Sequence, residues 1–315
     1  MTAEIIPNKM AKRAKIILSA ALFALCTTFA AAEERVATQL TAEVMDYDVE
    51  TGDFKAQGNV TLKREGVTLT SSYGTANTQT QKARVWDKVH AFGTYNGEEL
   101  DAYCAQLDAD FSVEGGDFIM TGGVNATFGA RVLRSDVARL TGQAFSATNV
   151  KHFEDKSRRM VLTCSTLTGD YDDQGLRIAD GKGNVFVTQE DDQKNSKLWC
   201  NSFAYRREQD RLTGTGNAHI LVTEKADKKK STDIRCDTLV YSFKAGSVTA
   251  SGNARAVQDG RKVSARTLIY YPETGKLEAK GKPTITVDVN APGPKKAPAK
   301  RTPRNGRNSV RKGGK

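Results

Sequence analysis

One short pattern recurs along this chain at nearly constant spacing: an aromatic residue, a turn, then Gly-Asn or Gly-Gly followed by a small or β-branched residue. It runs from Tyr47 to Gly58-Asn59-Val60, from Phe111 to Gly122-Gly123-Val124 and from Tyr171 to Gly183-Asn184-Val185. Two more copies run from Tyr205 to Gly216-Asn217-Ala218 and from Tyr241 to Gly252-Asn253-Ala254. The aromatic precedes the glycine by 11 residues in four copies and by 12 in the copy from Tyr171. Self-similarity of this kind means one supersecondary unit stacked on copies of itself, because a single unit cannot bury its own apolar face. A degraded copy from Tyr271 to Gly281-Lys282-Pro283 reads as a terminal repeat. Weaker copies are expected at Gly93-Thr94-Tyr95-Asn96 and around Asn149-Val150, which gives about eight short units of roughly 30 residues.

Within a unit the alternation is that of strands. After the glycine anchors, Val60 and Leu62, Val124, Val185 and Val187, and Ile220 and Val222 fall on one face. Four residues before an anchor stand Phe54, Phe118, Leu212, Val248 and Leu277. These twelve residues are the candidate lining of a continuous apolar interior or groove. Turns are written in Gly and Asx residues, as at Thr51-Gly52-Asp53, Glu114-Gly115-Gly116-Asp117 and Asp172-Asp173-Gln174-Gly175. Each unit is expected to hold two to four short strands, and the fold class is all-β.

The ends differ from the body. Lys9 to Lys15 is basic, Ile16 to Phe29 is apolar, and Ala30-Ala31-Ala32 precedes Glu33, which is the layout of a cleaved export signal over residues 1–32. The alternative is a retained membrane anchor, for which the apolar run is shorter than the roughly 20 residues of a spanning helix. Residues 291–315 form a basic tail expected to be disordered. The chain carries +10 overall; nine basic residues from Lys295 onward and a net +3 in the first 32 residues leave the body at −2. Residues 33–290 are therefore not a basic fold, and neither the tail, which has no aromatic to stack a base, nor the export signal suits nucleic acid.

Export permits disulfides. Cys200 and Cys236 each stand five residues before a repeat aromatic, so a bridge between them is expected if adjacent units are adjacent rungs. Cys104 and Cys164 stand seven before theirs. No CxxC pair occurs, the three histidines are distant from every cysteine, and no metal site, cofactor or catalytic residue is indicated. Acidic residues such as Glu190-Asp191-Asp192 cluster at turns and read as solvated, against a sugar-cleaving parallel β-helix enzyme.

Residues Ala42-Glu43-Val44-Met45-Asp46-Tyr47-Asp48-Val49-Glu50-Thr51-Gly52-Asp53-Phe54-Lys55-Ala56-Gln57-Gly58-Asn59-Val60, with the copies above, resemble the OstA-like, LptA-type periplasmic proteins of lipopolysaccharide transport. The resemblance implies a twisted β-jelly-roll, or folded-over β-stack, that shelters the lipid A acyl chains of lipopolysaccharide. It also implies partners: other OstA-like jelly-rolls of the inner- and outer-membrane complexes, and further copies of this chain head to tail, joined at edge strands near Leu40 to Val49 and Thr284 to Val289. The same domain type occurs in a membrane-anchored component of that system. An exported structural or adhesive β-solenoid with no lipid ligand is the other reading, since groove linings and dry cores use the same residues.

Overall fold

The computed structural model describes residues 39–287, apart from 65, 96–97, 114–115, 158, 173–174 and 228–229. The expected export signal and the basic tail lie outside the described residues. The described chain is strand and turn throughout, joined in one 18-stranded antiparallel sheet. In order the strands are β1 (Gln39–Thr41), β2 (Val44–Tyr47), β3 (Asp53–Arg64), β4 (Val67–Asn77), β5 (Lys82–Tyr95), β6 (Glu98–Asp110), β7 (Asp117–Phe128), β8 (Arg131–Thr141) and β9 (Ala144–Asp155). They continue as β10 (Met160–Asp172), β11 (Gly175–Glu190), β12 (Lys194–Arg206), β13 (Arg211–Glu224), β14 (Ser231–Ser242), β15 (Ser247–Gln258), β16 (Arg261–Tyr271), β17 (Lys276–Lys280) and β18 (Thr284–Val287).

From β3 to β17 each strand pairs with the next, a meander joined by tight turns. The unit is thus a hairpin of two strands. The strands from β3 to β16 are long, from 11 residues in β4 to 16 in β11, not the short strands expected. A parallel β-helix is excluded by the antiparallel pairing.

The Gly-Asn signal marks where each long strand bends. In β3 the ladder runs to Gln57 opposite Tyr73 and resumes at Val60 opposite Ser71, so Gly58 and Asn59 together face one residue of β4. The same bulge falls at Asp87-Lys88 in β5, Gly122-Gly123 in β7, Gly183-Asn184 in β11, Gly216-Asn217 in β13 and Gly252-Asn253 in β15. In all six, both bulged residues have positive φ, between 46° and 85°. Two successive left-handed residues turn the strand direction, which glycine does without strain and asparagine tolerates. Since the bulges lie in register, the whole sheet is creased along one line into two limbs. Limb one carries the residues before the bulge in odd strands, and limb two those after it.

The weak copy at Asn149 is real, with φ 51° and Val150 buried behind it. The one expected at Gly93 to Asn96 is misplaced. That crease is at Asp87-Lys88, two non-glycine residues that carry no sequence signal for it.

Both ends of the stack are broken strands. β1 pairs with limb two of β3 and β2 with its limb one, parting at Ala42-Glu43 across from the crease. β17 and β18 split likewise along β16, at Gly281-Lys282-Pro283. The edges expected near Leu40 and Thr284 are therefore the terminal strands of the sheet.

Candidate functional site

The crease is built by contact between neighbouring strands. A Cβ added to Gly252 would come 2.4 Å from Asp237 Oδ2, and one added to Gly216 would lie 2.6 Å from Asn201 Nδ2. Each glycine thus lies under a side chain of the preceding strand. The asparagine beside Gly252 donates to the same residue, Asn253 to Asp237 at 2.9 Å, and Asn149, which follows Thr148, donates likewise to Asp136 at 2.6 Å. At the first edge Glu43 takes this role, accepting from Asn59 at 2.6 Å.

Inside the crease, three rows of apolar side chains cross the sheet from one terminal strand to the other. Limb two carries a row that starts Leu40, Leu62, Leu69, Ala91, with each residue directly opposite the next. It continues through Leu162, Val187, Leu198, Ile220 and Ile234 and ends at Val263 and Ile285. Limb one carries two rows. The one nearer the crease starts at Met45 and Ala56 and ends at Leu268 and Ala279. The other, at the open rim, starts at Tyr47 and Phe54 and ends at Tyr270 and Leu277. No charged residue interrupts any of the three.

The twelve expected lining residues distribute over this interior. Phe54, Phe118, Leu212, Val248 and Leu277 all fall in the limb-one rim row. Leu62, Val187 and Ile220 belong to the limb-two row, Val60, Val124 and Val185 sit directly behind the crease, and Val222 lies at the limb-two rim. Phe118, Val124, Val185 and Val248 are almost wholly buried, whereas Phe54, Leu212 and Leu277 are half-buried.

Sequence reasoning missed the even-numbered strands, which supply Leu69, Leu198, Ile234, Leu239 and Leu268. Their signal is a small residue followed three positions later by an inward one: Cys104 and Leu107, Cys164 and Leu167, Cys200 and Phe203, Cys236 and Leu239. The step of three marks the crease, where the period of two that strands otherwise keep is broken.

The same register explains the cysteines. Ser71, Cys104, Ser135, Cys164, Cys200, Cys236 and Ala265 occupy one equivalent position, each opposite the residue that follows a bulge. Spacing from the aromatics divides the four cysteines into two classes, but the ladder puts them in one. The site needs a small side chain, and the hydroxyls and one thiol there return a hydrogen bond to the bent backbone. Ser71 donates to the Tyr73 carbonyl at 3.0 Å, Ser135 to Val137 at 3.1 Å and Cys164 to Thr166 at 3.2 Å. All four thiols are buried and free. The expected Cys200 to Cys236 bridge is absent because a unit is two strands wide. The whole of β13 separates the two residues, which puts them roughly 9.6 Å apart, beyond the roughly 7 Å limit for a disulfide. Burial pushes all four thiols up to about 11, far from the range of a nucleophile or metal ligand.

Polar contacts tie the two rims together in the later part of the stack. Gln258 Nε2 donates to the Gly275 carbonyl at 2.8 Å, and Lys194 Nζ donates to the Pro272 carbonyl. The Arg131 guanidinium lies 5.8 Å from the ring centre of Tyr171. Each joins residues at opposite ends of the creased strands, so the limbs close on one another there. The core follows suit: one cluster from Ala147 to Tyr270 holds Ile234 and Leu268 at 0% exposure, while two smaller clusters serve β3 to β8.

The outer face is polar and ordinary. Arg139 reaches Asp117 at 2.6 Å and holds its carboxyl below the usual range with help from Thr141, and Arg206 pairs with Asp180 at 2.8 Å. In the turn after β11, Asp191 accepts from the backbone N–H of Gln193 and Lys194, and Asp192 pairs with Arg159 at 2.5 Å. The three histidines lie on this face, each beside a carboxylate. Among the described residues no group of three or more His, Cys, Asp or Glu side chains is arranged to hold a metal ion.

Among solved structures, the chain is similar to the crystal structure of LptH, the LptA homologous periplasmic component of the conserved lipopolysaccharide transport device from Pseudomonas aeruginosa. The likeness is 18% in identity with a TM-score of 0.36, and it covers 42% of this chain and 98% of that one. No family model and no curated protein sequence matches this chain.

Proposed function

We propose that this protein is a carrier that shelters the acyl chains of lipopolysaccharide in its creased interior while the molecule crosses the periplasm between two membranes. The observation that supports this reading is the set of three rows, free of charged residues, that run from one terminal strand of the sheet to the other and emerge at both edges. A globular core has no need to reach its own edges. Here Val44, Met45 and Tyr47 at one end and Ile285 and Val287 at the other remain 44–64% exposed. Edges with unpaired backbone groups and bare apolar side chains are templates for strand addition. The partners proposed are jelly-rolls of the same type on the inner- and outer-membrane sides, or a second copy head to tail. Joined in this way, the rows of successive molecules would run on as one apolar path.

The energetics suit a carrier. Each methylene moved from water into the interior gains about 0.8 kcal/mol, so a chain of about twelve carbons gains roughly 9 kcal/mol gross. Moving the same chain from bilayer to interior is nearly neutral, since both environments are apolar. The protein can therefore accept a lipid and release it without a deep trap, and direction is supplied by other components. No covalent step is needed.

The test compares purified protein mixed with radiolabelled lipopolysaccharide and with the same molecule after removal of its acyl chains, followed by gel filtration. Stable binding of the acylated form alone is expected. Equal binding of the two forms, or of neither, rules out the acyl chain as the handle.

A further inference from the structure

We infer that the outer face of limb one carries a second binding site, a shallow cavity across β8 to β11 that takes one neutral glycosyl ring. The inference stands apart from the carrier reading, which concerns the inner face of the sheet.

The cavity measures about 410 Å³, within the roughly 300–1,000 Å³ of small-molecule sites. The strand register shapes its floor. Thr168 lies directly opposite Ser146, which lies opposite Arg139 on its other side, and Ala144 lies between Thr141 and Asp170. These positions alternate with Ala147 and Leu167, which are buried in the core, so they face outward. The short side chains of β9 and β10 leave a depression between Arg139 of β8 and Ile178 of β11.

An ion pair stands on each side. Arg139 donates from Nε and Nη2 to Asp117 at 2.7 and 2.6 Å. Arg177 donates in the same way to Asp170, at 3.0 and 2.6 Å. Arg177 is the extra residue where the pairing of β10 with β11 slips: Asp170 faces Ile178, but Tyr171 faces Leu176. A bulge of this kind re-aims one side chain, here onto the cavity's own carboxylate.

Charge and hydrogen bonding together select the ligand. Each guanidinium is matched by one carboxylate, so the walls hold no net charge that would favour a phosphate or an ammonium group. Hydrogen-bonding capacity is left over all the same. Arg139 keeps Nη1, Asp170 has further lone pairs, and the hydroxyls of Ser146 and Thr168 make no hydrogen bond among the described residues. A hydrocarbon here would strip water from these groups and return nothing. A pyranose ring presents hydroxyls at its edge for the polar groups and a C–H face for Ala144 and Ile178. About twelve heavy atoms at ordinary ligand efficiency correspond to a dissociation constant on the order of 1 mM. Contacts this weak are lost during gel filtration, so the comparison of acylated with deacylated lipopolysaccharide reads the inner face alone.

The experiment uses the full chain and saturation-transfer NMR with three neutral probes: the methyl glycosides of glucose, mannose and N-acetylglucosamine. At least one is expected to bind in the millimolar range. Ser146→Ala with Thr168→Val should weaken it about tenfold, the loss of two hydrogen bonds, and Ala144→Phe should fill the cavity and abolish binding. Both variants change outward residues, and an unchanged circular dichroism spectrum shows that they fold. No transfer to any of the three probes, or transfer that survives Ala144→Phe, overturns the site. Tighter binding of glucose 6-phosphate than of methyl glucoside overturns its neutrality. Displacement of the bound glycoside by the sugar portion of lipopolysaccharide, released by mild acid, makes the ligand the headgroup of the carried lipid. Displacement by soluble cell-wall glycan fragments makes it a fixed envelope polymer, and displacement by neither counts against a glycan ligand.

Discussion

Replacing Gly252 by alanine tests why the crease is written in glycine, because two costs act there and can be separated. The first is conformational: Gly252 has φ 74°, and a residue with a Cβ pays roughly 1–2 kcal/mol in the left-handed region. The second is steric. The new methyl would sit 2.4 Å from Asp237 Oδ2 and 2.9 Å from Asp237 Cβ, and the latter atom can move only with the backbone of β14. Overpacking of this kind costs about 1–3 kcal/mol, so Gly252→Ala should lose about 2–5 kcal/mol in all. Asp237→Gly removes the obstructing side chain, together with its bond from Asn253. In the double variant the steric part should vanish and the conformational part remain, giving a favourable coupling of about 1–3 kcal/mol. Urea unfolding followed by Trp199 fluorescence reads this well, since Trp199 lies in β12, stacked between Phe186 and His219. Additivity within about 0.3 kcal/mol would show that close approach of β14 is not the reason for glycine. A single-variant loss below about 1 kcal/mol would remove the conformational reason as well.

Four further outcomes are expected. Ile234→Ala, at a position with 0% exposure, should cost about 2–5 kcal/mol in urea melts, and a loss under about 1 kcal/mol would mean that the later core is not tightly packed. At the ladder of small residues, Cys236→Ser should stay close to the parent in stability while Cys236→Val destabilises by about 1–3 kcal/mol through overpacking. Intact-mass analysis under non-reducing conditions should find no bridge between Cys200 and Cys236. Lastly, Asp117 has its pKa lowered chiefly by the hydrogen bond from Arg139. A depressed carboxyl stabilises the fold above its unfolded pKa, about 3.9, and loses that contribution as pH falls through the lower folded value. The destabilisation caused by Asp117→Asn should therefore be full at neutral pH and shrink in acid. A constant difference from pH 7 to pH 2 would contradict this.

Much of this molecule could be read from its residues. The offset from each repeat aromatic to its Gly-Asn fixed the period, and the alternation after Gly58, Gly183 and Gly216 showed which side chains point inward. Both are local properties: left-handed backbone selects Gly and Asn, and strand geometry imposes a period of two. The crease at Asp87-Lys88 was invisible because its conformation is imposed by the aligned bulges of neighbouring strands, against the preference of its own residues.

Other features depend on distances between residues far apart in the chain. The equivalence of Ser71, Cys104, Ser135, Cys164, Cys200, Cys236 and Ala265 follows from the pairing register, and spacing along the chain gives a different grouping. Whether Cys200 could meet Cys236 depended on a unit being two strands wide. The amino-acid pattern determined that an apolar stripe would run the length of the stack, since alternation decides which side of a strand a residue faces. Tertiary structure alone decided how the two limbs meet across the crease. That meeting joins residues remote in the chain, with Gln258 Nε2 reaching the Gly275 carbonyl and Lys194 Nζ the Pro272 carbonyl from the opposite rim, and no spacing along a single strand encodes it.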